Sequence, residues 1–511
     1  MNQILAEYAR PLQILADAAC PQQPVYLVGG AVRDLLNKQP LHDLDFSTIE
    51  PIKPLARALA AGLQAALFAL DEARGTYRVV ETRADASRFI YDLALLRGVD
   101  LQADLQDRDF TINAMALDVR HPTRLIDPLG GAQDLKDKIL RACSPKTFEQ
   151  DPVRILRAVR QSVQYQLHFE PATLQLLKSA IPALQNVSIE RQRDELLKIL
   201  AGPRPGLGIR LLDQLGILEI LLPEVKAMKG VRQSAPHVLD VWEHTLAILD
   251  ELERVIGLLA SPFQAEKNAG LWLGMASQRL GRYRPQLQAY IQEELIPERP
   301  RRGLLFLAAL LHDAAKPTVR SLDERQRVHF YTHEQKGTNL AREVGRRLRL
   351  SELEIAHLCT MVGDHMRIHH LAKQGETLTR RSIYRFFLSS GEAGPGVVLH
   401  TLADTLATYG VTLTQDVWLA ELDAARQLLE AWYEAPQVAV TPPRIVTGDD
   451  IIQVLGIRPG RLIGQILTVI QEKQACGDIS TRQQALDLAK ELYSQGLLAE
   501  GDPDGTKTET G

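Results

Sequence analysis

The sequence predicts an α+β protein, with a small mixed β-sheet near the N-terminus followed by a long all-helical region. Strand-like runs are confined to residues 1–140, at Val25–Val28, Asp43–Ser47, Tyr77–Glu81 and Phe89–Leu95. After Arg141 such runs nearly vanish, and amphipathic helical patterns continue to about Leu498. At 511 residues the chain is too long for one hydrophobic core, so we expect several domains.

Composition narrows the class of protein. The 45% hydrophobic and 24% charged content is that of a soluble globular protein. No run approaches the roughly 18 to 20 apolar residues of a membrane span, and the first residues lack the basic and apolar regions that are typical of a secretory signal peptide. We therefore expect a cytoplasmic protein with no membrane partner. The four cysteines have no CxxC spacing, which predicts reduced thiols rather than a zinc knuckle or disulfides.

Charge gives a weaker signal. A net charge of −4 argues against a protein that coats nucleic acid indiscriminately. Residues 145–204 and 301–349 are nevertheless locally basic. These segments fit either phosphate-tracking surfaces or ordinary solvated helix faces, and the sequence leaves both open.

A glycine pair follows the first predicted strand. Gly29 and Gly30 come directly after Val25–Val28 and precede a helix that contains Arg33 and Asp34. Glycines at the start of a helix let backbone N–H groups approach a phosphate without a side chain in the way. The pattern predicts a nucleotide-phosphate site, although a glycine pair by itself is more often only a turn.

Two aspartates follow on the second predicted strand. Asp43 and Asp45 flank Leu44, so period-2 alternation directs both carboxylates to one face and buries Leu44 on the other. Carboxylates placed together suit one or two Mg²⁺ ions, which take oxygen ligands and bridge substrate phosphates. A single Asp-x-Asp is more often a solvated strand end, so the argument depends on its combination with the glycine pair.

The run from Leu27 to Leu36 followed by Asp43-x-Asp45 resembles the signature of the nucleotidyltransferase superfamily, specifically the class II bacterial tRNA nucleotidyltransferase and poly(A) polymerase family. The resemblance implies transfer of CMP or AMP from CTP or ATP to the 3′ end of tRNA, without a nucleic-acid template and with release of pyrophosphate. It implies Asp43 and Asp45 as catalytic residues holding Mg²⁺. It also implies nucleotide binding by Gly29, Gly30 and Arg33. Asp92, on a later strand, is a candidate third carboxylate.

Two further motifs extend the resemblance. The segment from Arg108 to Ala114 is similar to the family's RDFTINA element, in which the Arg and Asp, here Arg108 and Asp109, contact the phosphates and sugar of the nucleotide. Asp151 and Arg154 match the family's DxxR motif, in which the two side chains read the Watson–Crick edge of the incoming base. Arg157, three residues after Arg154, is a further candidate for nucleotide binding.

Without that resemblance, Asp151 and Arg154 would be an ordinary i,i+3 ion pair. The sequence predicts that Asp151 caps a helix and that Pro152 begins it, which would place both side chains on one helix face. Arg donates hydrogen bonds in a rigid fork and Asp accepts from an exocyclic amine, a group that C and A share.

One departure from the family pattern affects the product. Only residues 98–107 separate the strand ending near Arg97 from the RDFTINA-like element, whereas family members that add all three nucleotides usually have a longer flexible loop there. That loop is associated with the switch from C to A addition. The short segment raises the alternative that the chain adds only CC.

A second pattern lies in the helical region. His244, the adjacent pair His312-Asp313 and Asp404 occur in an order that resembles the HD phosphohydrolase superfamily. A carboxylate after a buried apolar run is costly unless it is paired or bound to metal. The resemblance implies a divalent metal, with Mn²⁺, Ni²⁺, Mg²⁺ and Zn²⁺ all open, and a phosphatase or 2′,3′-cyclic phosphodiesterase activity. His333 and His365 are candidates for a second metal, and a decayed HD fold kept as an RNA-binding body is the rival interpretation.

The predicted domains are a nucleotidyltransferase head (1–140), a helical neck (141–225), an HD domain (226–435), a C-terminal helical segment (436–498) and a disordered tail (499–511). The leading hypothesis is an enzyme that matures or repairs tRNA 3′ ends. The alternatives are a CC-adding enzyme, a poly(A) polymerase, and an HD phosphohydrolase whose head only binds RNA. The sequence leaves monomer and homo-oligomer both open.

Overall fold

The computed structural model describes residues 7–41, 43–83, 88–260, 270–375 and 377–496. The chain divides into two compact units, one of Met1–Gly202 with Leu211–Leu221 and the other of Pro203–Arg210 with Leu222–Gly511. The predicted disordered tail, 499–511, lies outside the described residues. The predicted α+β class is confirmed, because a mixed sheet near the N-terminus is followed by helices.

The first unit contains a seven-stranded sheet with the order β3-β4-β5-β2-β1-β6-β7. Its strands are β1 (Val25–Val28), β2 (Asp43–Thr48), β3 (Ala66–Asp71), β4 (Thr76–Thr82), β5 (Arg88–Leu95), β6 (Ala116–Asp118) and β7 (Leu125–Ile126). Within the described residues of this sheet, only the β2–β5 pair is parallel. The four predicted strands are all present, and β3, β6 and β7 were not predicted.

One face of this sheet forms the core of the unit. Helices Ala9–Ala18 and Ile52–Leu63 cover that face, and Leu44, Phe46 and Leu93 are buried against them. Because side chains alternate along β2, burying Leu44 turns both flanking aspartates to the opposite face. The core therefore determines on which face the carboxylates lie.

The remaining helices of the first unit either lie between strands of the sheet in the sequence or come after its last strand, β7. They are Gly30–Leu36, Leu101–Gln106, Gly131–Lys136, Thr147–Gln150, Arg154–Tyr165, Pro171–Ala180, Ile189–Ala201 and Leu218–Leu221, with Pro205–Gln214 crossing between the units. A short parallel pairing joins Ile139–Leu140 to His168–Phe169.

The predicted helix start at Pro152, with Asp151 as its cap, is wrong by two residues. Asp151 has an extended backbone, with φ −150° and ψ 96°, and the helix begins at Arg154. The Asp151 carboxylate pairs with Arg191, 2.7 Å away, and so does not cap the helix. The Asp-Pro pattern is typical of a helix start, but here the Asp151 side chain forms an ion pair with Arg191, 40 residues away in the sequence.

The second unit is helical, with two minor strand pairs, Glu294–Ile296 with Arg299–Pro300 and Ser321–Leu322 with Val328–His329. Its longer helices are Val241–Leu259, Leu271–Leu280, Arg284–Gln292, Arg301–Leu311, His333–Arg347, Glu352–Asp364, Arg380–Ser390, Gly394–Tyr409, Gln415–Tyr433, Gly448–Leu455, Arg461–Cys476 and Arg482–Ser494. Short helices occupy Lys316–Val319, Arg367–Ala372 and Pro436–Ala439.

Two helices of this unit are buried along most of their length. Arg301–Leu311 and Gly394–Tyr409 have buried side chains on all sides, as expected for helices inside a core rather than on its surface. The last three helices have a hydrophobic cluster of their own around Ile451, Ile466 and Ala485. Within the described residues, none of the helices has both the length and the hydropathy required to cross a membrane.

Candidate active site and a buried histidine–aspartate cluster

The turn after β1 brings the backbone close to functional side chains. Gly29 has φ +74°, a conformation that side-chain-bearing residues rarely adopt. A Cβ atom on Gly29 would lie 3.0 Å from Arg108 Nη1 and 3.5 Å from Asp45 Oδ2, and one on Gly30 would lie 3.2 Å from Arg33 Nη2. Both glycines therefore leave space that a larger residue would take from these groups.

Asp43 and Asp45 lie on the open face of β2. Asp43 is exposed and Asp45 is half-buried. Burial, followed by the negative charges of Asp43 and Asp92, raises the pKa of Asp45 to about 6, against the opposing effect of Arg108 and Arg157. Carboxylates that repel one another in this way are stabilised by a bound cation. The oxygen donors and their mutual repulsion fit a divalent metal.

Asp92 is the neighbour of Asp45 across the parallel β2–β5 pair. Its carboxylate accepts two hydrogen bonds from Arg78, at 2.9 Å from Nε and 2.9 Å from Nη2. The structure thus brings the candidate third carboxylate next to Asp45 and also gives it a bidentate arginine partner.

Arg108 is held in place by a buried carboxylate. Asp104, which is 1% exposed, accepts hydrogen bonds from Arg108 Nε at 3.1 Å and Nη2 at 3.0 Å. Its other oxygen accepts from the backbone N–H of Arg97 at 2.9 Å. Asp104 lies on the helix Leu101–Gln106, whose N-terminus is capped by the Asp100 side chain. The short segment before the RDFTINA-like element is therefore an ordered helix that orients Arg108.

Asp109 is buried and bound on several sides. It accepts hydrogen bonds from the Phe110 backbone and from Asn113 Nδ2, both at 2.8 Å, and its second oxygen lies 3.1 Å from Arg157 Nη2. Burial alone would raise the pKa of this carboxyl, but Arg157 and the two hydrogen bonds outweigh it and the pKa is lowered. Asp109 is thus a fixed anion that positions Arg157.

Asp151 and Arg154 are not paired with each other. The Arg154 guanidinium donates to the backbone oxygens of Asp107 at 2.7 Å and Thr147 at 3.2 Å. Asp151 Oδ2 accepts from Arg191, while Asp151 Oδ1 is buried and has no hydrogen-bond partner. The interpretation of these residues as a plain i,i+3 ion pair is therefore wrong, and a buried acceptor is left available.

These groups line one cavity of about 440 Å³, which we call the arginine-lined cavity. All ten residues assigned from the sequence to catalysis or nucleotide binding lie on its wall. Its lining includes seven arginines and five aspartates. Six further lining residues were not assigned from the sequence: Asp34, Arg97, Asn113, Arg160, Gln161 and Arg191.

A second cluster of polar side chains lies inside the second unit. His244, His312, Asp313 and Asp404 are each no more than 4% exposed. His312 Nε2 lies 3.0 Å from Asp313 Oδ2, and His244 Nε2 lies 3.2 Å from Asp404 Oδ1 and 3.8 Å from Asp313 Oδ2. The structure brings together all four residues of the HD pattern.

This histidine–aspartate cluster contains polar atoms without hydrogen bonds of acceptable geometry. They are both carboxylate oxygens of Asp313, Nε2 of His312 and both ring nitrogens of His244. Buried groups of this kind are normally satisfied. One ligand atom from each of His244, His312 and Asp313 lies within 4.8 Å of the others. The donor set and its unsatisfied atoms fit a divalent metal.

A second group shares Asp313. His333 Nε2 lies 3.7 Å and His365 Nε2 lies 3.9 Å from Asp313 Oδ1, and the two Nε2 atoms are 3.3 Å apart. His312, His333 and His365 each have Nδ1 within 2.8 Å of the backbone oxygen three residues earlier. Donation from Nδ1 leaves each Nε2 with a lone pair that faces the cluster.

Sequence patterns missed His369. Its Nε2 lies 2.9 Å from Asp404 Oδ2 and its Nδ1 lies 2.8 Å from Glu421 Oε1. Burial lowers the pKa of His369, but Glu421 and Asp404 outweigh burial and raise it to about 10. The only sequence signal was its position four residues after His365.

Lys316 was also missed. Its ammonium group lies 2.6 Å from Asp313 Oδ2 and donates to Gln233 Oε1 at 2.7 Å. Burial, followed by Lys316 and His244, lowers the pKa of nearby His237 to about 3. Lys316 and His237, together with His244, Asp313 and Asp404, line a cavity of about 570 Å³.

Comparison with known proteins identifies three regions of the chain. Residues 25–141 match the poly A polymerase head domain, residues 166–229 match the probable RNA and SrmB-binding site of polymerase A, and residues 237–409 match the HD domain.

Full-length relatives are similar over most of the chain. An A-adding tRNA nucleotidyltransferase of Deinococcus radiodurans is 32% identical over 90% of this chain and 93% of its own length. CC-adding tRNA nucleotidyltransferases of Thermus thermophilus and Geobacter sulfurreducens are each 29% identical, covering 93% and 90% of this chain and 96% and 90% of theirs.

Solved structures agree on the fold. A CCA-adding enzyme in complex with ATP has a TM-score of 0.57 at 22% identity, with coverage of 97% of this chain and 96% of that one. The Thermotoga maritima CCA-adding enzyme complexed with tRNA has a TM-score of 0.51 at 23% identity, with coverage of 96% and 95%.

Proposed function

This chain belongs to the tRNA nucleotidyltransferase and poly(A) polymerase family, and we propose that it lengthens the 3′ end of tRNA with nucleotides taken from CTP or ATP. The RNA 3′-hydroxyl attacks the α-phosphorus of the nucleoside triphosphate, and pyrophosphate leaves. The observation that carries this proposal is the arginine-lined cavity, in which two clustered carboxylates face seven arginines. Such a cavity binds a polyphosphate through charge-assisted hydrogen bonds and keeps a metal site beside it.

Asp43 and Asp45 would hold the metal in this proposal. The family's chemistry depends on a divalent metal, and we propose Mg²⁺ because both ligands are hard carboxylate oxygens. An ion held by these two carboxylates would lower the pKa of the attacking hydroxyl and neutralise charge that develops on the phosphates. Arg108, held by buried Asp104, is directed toward the phosphates next to the Gly29 turn. Arg33 and Arg157 extend the cationic wall.

Asp151 and Arg154 would select the base. Asp151 Oδ1 is a buried acceptor without a partner, and an exocyclic amine of C or A supplies the missing donor. Arg154 is fixed by two backbone oxygens, so its remaining N–H groups have a defined direction. Arg191 holds the other Asp151 oxygen and so positions the acceptor.

We propose CC addition as the product. The segment 98–107 contains a capped helix, Leu101–Gln106, whose Asp104 contacts Arg97 and Arg108, whereas enzymes that add all three nucleotides usually have a longer flexible loop there. Full-length CC-adding relatives support this choice. Addition of the terminal A is the second candidate, because the Deinococcus radiodurans relative with 32% identity is an A-adding enzyme.

The test uses purified protein, Mg²⁺ and three tRNAs that end before C74, before C75 and before A76, each with labelled CTP or ATP. CC addition predicts two CMP on the first tRNA, one on the second and no AMP on the third. AMP on the third tRNA alone would instead assign A addition, and AMP on the third together with CMP on the others would assign full CCA addition. Long A tails on any RNA would indicate a poly(A) polymerase, and no incorporation at all would contradict the proposed transfer.

For the histidine–aspartate cluster we propose a metal-dependent phosphohydrolase, either a phosphatase or a 2′,3′-cyclic phosphodiesterase. His244, His312, Asp313 and Asp404 would hold one divalent transition metal, and His333 and His365 would join Asp313 around a second. The unsatisfied atoms of Asp313 and His312 support this proposal over a decayed fold.

The test of the cluster is independent of tRNA. Protein dialysed against Mn²⁺, Ni²⁺, Mg²⁺ or Zn²⁺ is analysed for bound metal and assayed with 2′,3′-cyclic AMP and p-nitrophenyl phosphate. Bound metal with turnover supports the proposal, whereas protein that binds none of these metals would favour the decayed fold. Phosphohydrolase turnover in a protein that adds no nucleotide would support the alternative of an HD enzyme with an RNA-binding head.

We assign these activities to the predicted domains. Head (1–140) and neck (141–225) would share the nucleotide site, 226–435 would form the HD domain, and 436–498 would be a helical extension. We propose the cytoplasm as the place of action, where tRNA ends are matured.

A further inference from the structure

Four side chains lie in one row across the sheet of the first unit. The strand registers pair Asp45 with Asp92, Asp92 with Arg78, and Arg78 with Phe68. Paired residues on neighbouring strands project to the same face. Phe68, on the edge strand β3, therefore lies on the face that carries the catalytic carboxylates.

Phe68 is an unusual residue for this position. Its side chain is 50% exposed, although a phenylalanine of the same sheet, Phe46, is 1% exposed on the core face. Val80 and Ile90, in the adjoining row, are half-buried, so the face between β3 and β2 combines apolar side chains with the acidic group. Exposed aromatic area beside a polar site is a common feature of nucleic-acid-binding surfaces.

We propose that Phe68 stacks on an unpaired base near the 3′ end of the RNA acceptor, so that the open face from β2 to β3 is the path of the acceptor strand. The inference rests on the proposed function, because it takes RNA as the substrate. It adds to that function a positioning residue and a surface outside the arginine-lined cavity.

Distance supports this occupant. Neighbouring strands lie about 4.8 Å apart, so three strand spacings put Phe68 about 14 Å from Asp45. At about 3.4 Å per stacked nucleotide this corresponds to about four nucleotides, and to fewer in an extended strand. A 3′-hydroxyl at Asp45 thus brings one of the last few nucleotides of the same strand over Phe68.

Charge supports it too. RNA phosphates would be repelled by an unpaired row of carboxylates, but the Arg78 guanidinium neutralises Asp92 between Asp45 and Phe68. Bases stack on an aromatic ring whatever their identity, because each has a π-face. A protein partner or a second copy that bound edge strand β3 would not require an aromatic side chain in the same row as Asp45, whereas an RNA strand with its 3′ end at Asp45 would pass over this row.

The test measures RNA binding in the absence of nucleoside triphosphate. The probe is an RNA hairpin with a single-stranded 3′ end that carries 2-aminopurine at the third nucleotide from the end, whose fluorescence is quenched by stacking. Phe68→Ala and Phe68→Leu should bind about tenfold more weakly and lose the quenching, whereas Phe68→Tyr and Phe68→Trp should retain both. Leu322→Ala is the matched control, since it removes an apolar side chain that is 47% exposed and lies in the second unit.

Equal affinity and equal quenching for Phe68→Ala and Leu322→Ala would overturn the inference. The inference would also be overturned if Phe68→Ala changed only the molecular mass measured by sedimentation and left RNA binding unchanged, because β3 would then be a self-association surface. The tRNA incorporation assay tests the proposed function separately. A wild-type protein that adds no nucleotide but shows the Phe68-dependent quenching would contradict the transfer reaction and retain the RNA-stacking surface.

Discussion

The arginine-lined cavity and the histidine–aspartate cluster hold their carboxylates in opposite ways. In the cavity, Asp43 is exposed and Asp109 has an arginine partner at 3.1 Å. In the cluster, Asp313 is 1% exposed and faces imidazoles, and neither of its oxygens has a hydrogen bond of acceptable geometry. One site has more fixed cations than anions, whereas the other has buried ligand atoms that lie near histidines and Lys316 without a hydrogen bond of acceptable geometry.

This difference bears on how each site would bind a metal ion. Asp43 is exposed and Asp45 is half-buried on the open face of β2, so a metal held there would be accessible from solvent, and the arginines would bind the phosphate charge that the metal does not neutralise. Asp313 and the histidines around it are buried, and backbone oxygens orient three of those histidines, as expected for an ion that would stay bound. The first site therefore suits a metal that exchanges in each cycle, and the second suits a resident one.

The largest effect should come from Asp45→Ala. Loss of a metal ligand at the reacting phosphate should lower the rate of nucleotide transfer about a thousandfold or more, because the metal supplies several kcal/mol of transition-state stabilisation. tRNA affinity and the metal content of the second unit should not change. Incorporation assays, filter binding and metal analysis measure the three quantities, with Asp71→Ala on edge strand β3 as the control. Retained turnover would refute the metal assignment to Asp45.

Next in size is the effect of Asp313→Ala on bound metal. Asp313 lies within reach of both histidine groups, so its removal should weaken metal binding about a hundredfold and abolish the stabilisation that bound metal confers. Metal analysis after gel filtration and melting curves with and without chelator measure this. His329→Ala is the control, because His329 pairs with Asp323 at a partly exposed site. Unchanged metal content in Asp313→Ala would place any bound ion elsewhere.

Asp151→Asn should change selectivity more than rate. The amide that replaces the unpartnered Oδ1 acceptor presents a donor in one orientation, so preference for CTP over UTP should fall about tenfold or more. Competition between labelled CTP and UTP measures the ratio. Arg191→Ala, which removes only the group that holds Asp151, should have a smaller effect in the same direction. An unchanged CTP/UTP ratio in Asp151→Asn would exclude base reading by this carboxylate.

The smallest effect concerns stability. The folded-state pKa of Asp45, about 6, exceeds its ordinary value of 3.8. The folded protein therefore binds this proton more tightly than the unfolded chain, and stability increases as pH falls from above 6 toward 4. Without divalent metal, Asp45→Asn should raise the free energy of unfolding by about 1 to 3 kcal/mol at pH 7.5 and by little at pH 4.

Melting curves across pH, with Asp71→Asn as the control, would measure this gain. Added Mg²⁺ should reduce it, since the ion stabilises only the ionised wild-type side chain. A gain that persists unchanged at pH 4 would show that ionisation of Asp45 is not its source.

Local patterns were sufficient to predict much of the fold. Strand β1 has the predicted bounds, and β2, β4 and β5 differ by one residue at one or both ends. Strand β3 was missed because Ala66–Asp71 does not alternate, and most of its side chains are exposed on an edge. Alternation identifies a strand only where one face is buried.

The ten residues assigned from the sequence line one cavity, and they could be grouped in advance for a different reason. These ten residues belong to short motifs, and residues that are close together in the sequence remain close together in the fold. Arg191 and Arg160 reach the cavity through ion pairs with Asp151 and Glu195, partners 40 and 35 residues away. Neither contact leaves a local trace in the sequence. Likewise, His369 is held between residues of two later helices, which a reading of neighbouring residues does not detect.

The segment from Gly98 to Asp107 also bears on how such enzymes diverge. Gly98 has φ +99°, and Val99 beside it is 94% exposed, so this turn is at the surface. Extra residues at a surface turn cost little, because the entropy of closing a loop grows slowly with its length. Insertions and deletions at this turn should therefore cost little folding free energy, so a change in the number of nucleotides added, if it depends on this segment as proposed, would need no change at Asp43 or Asp45.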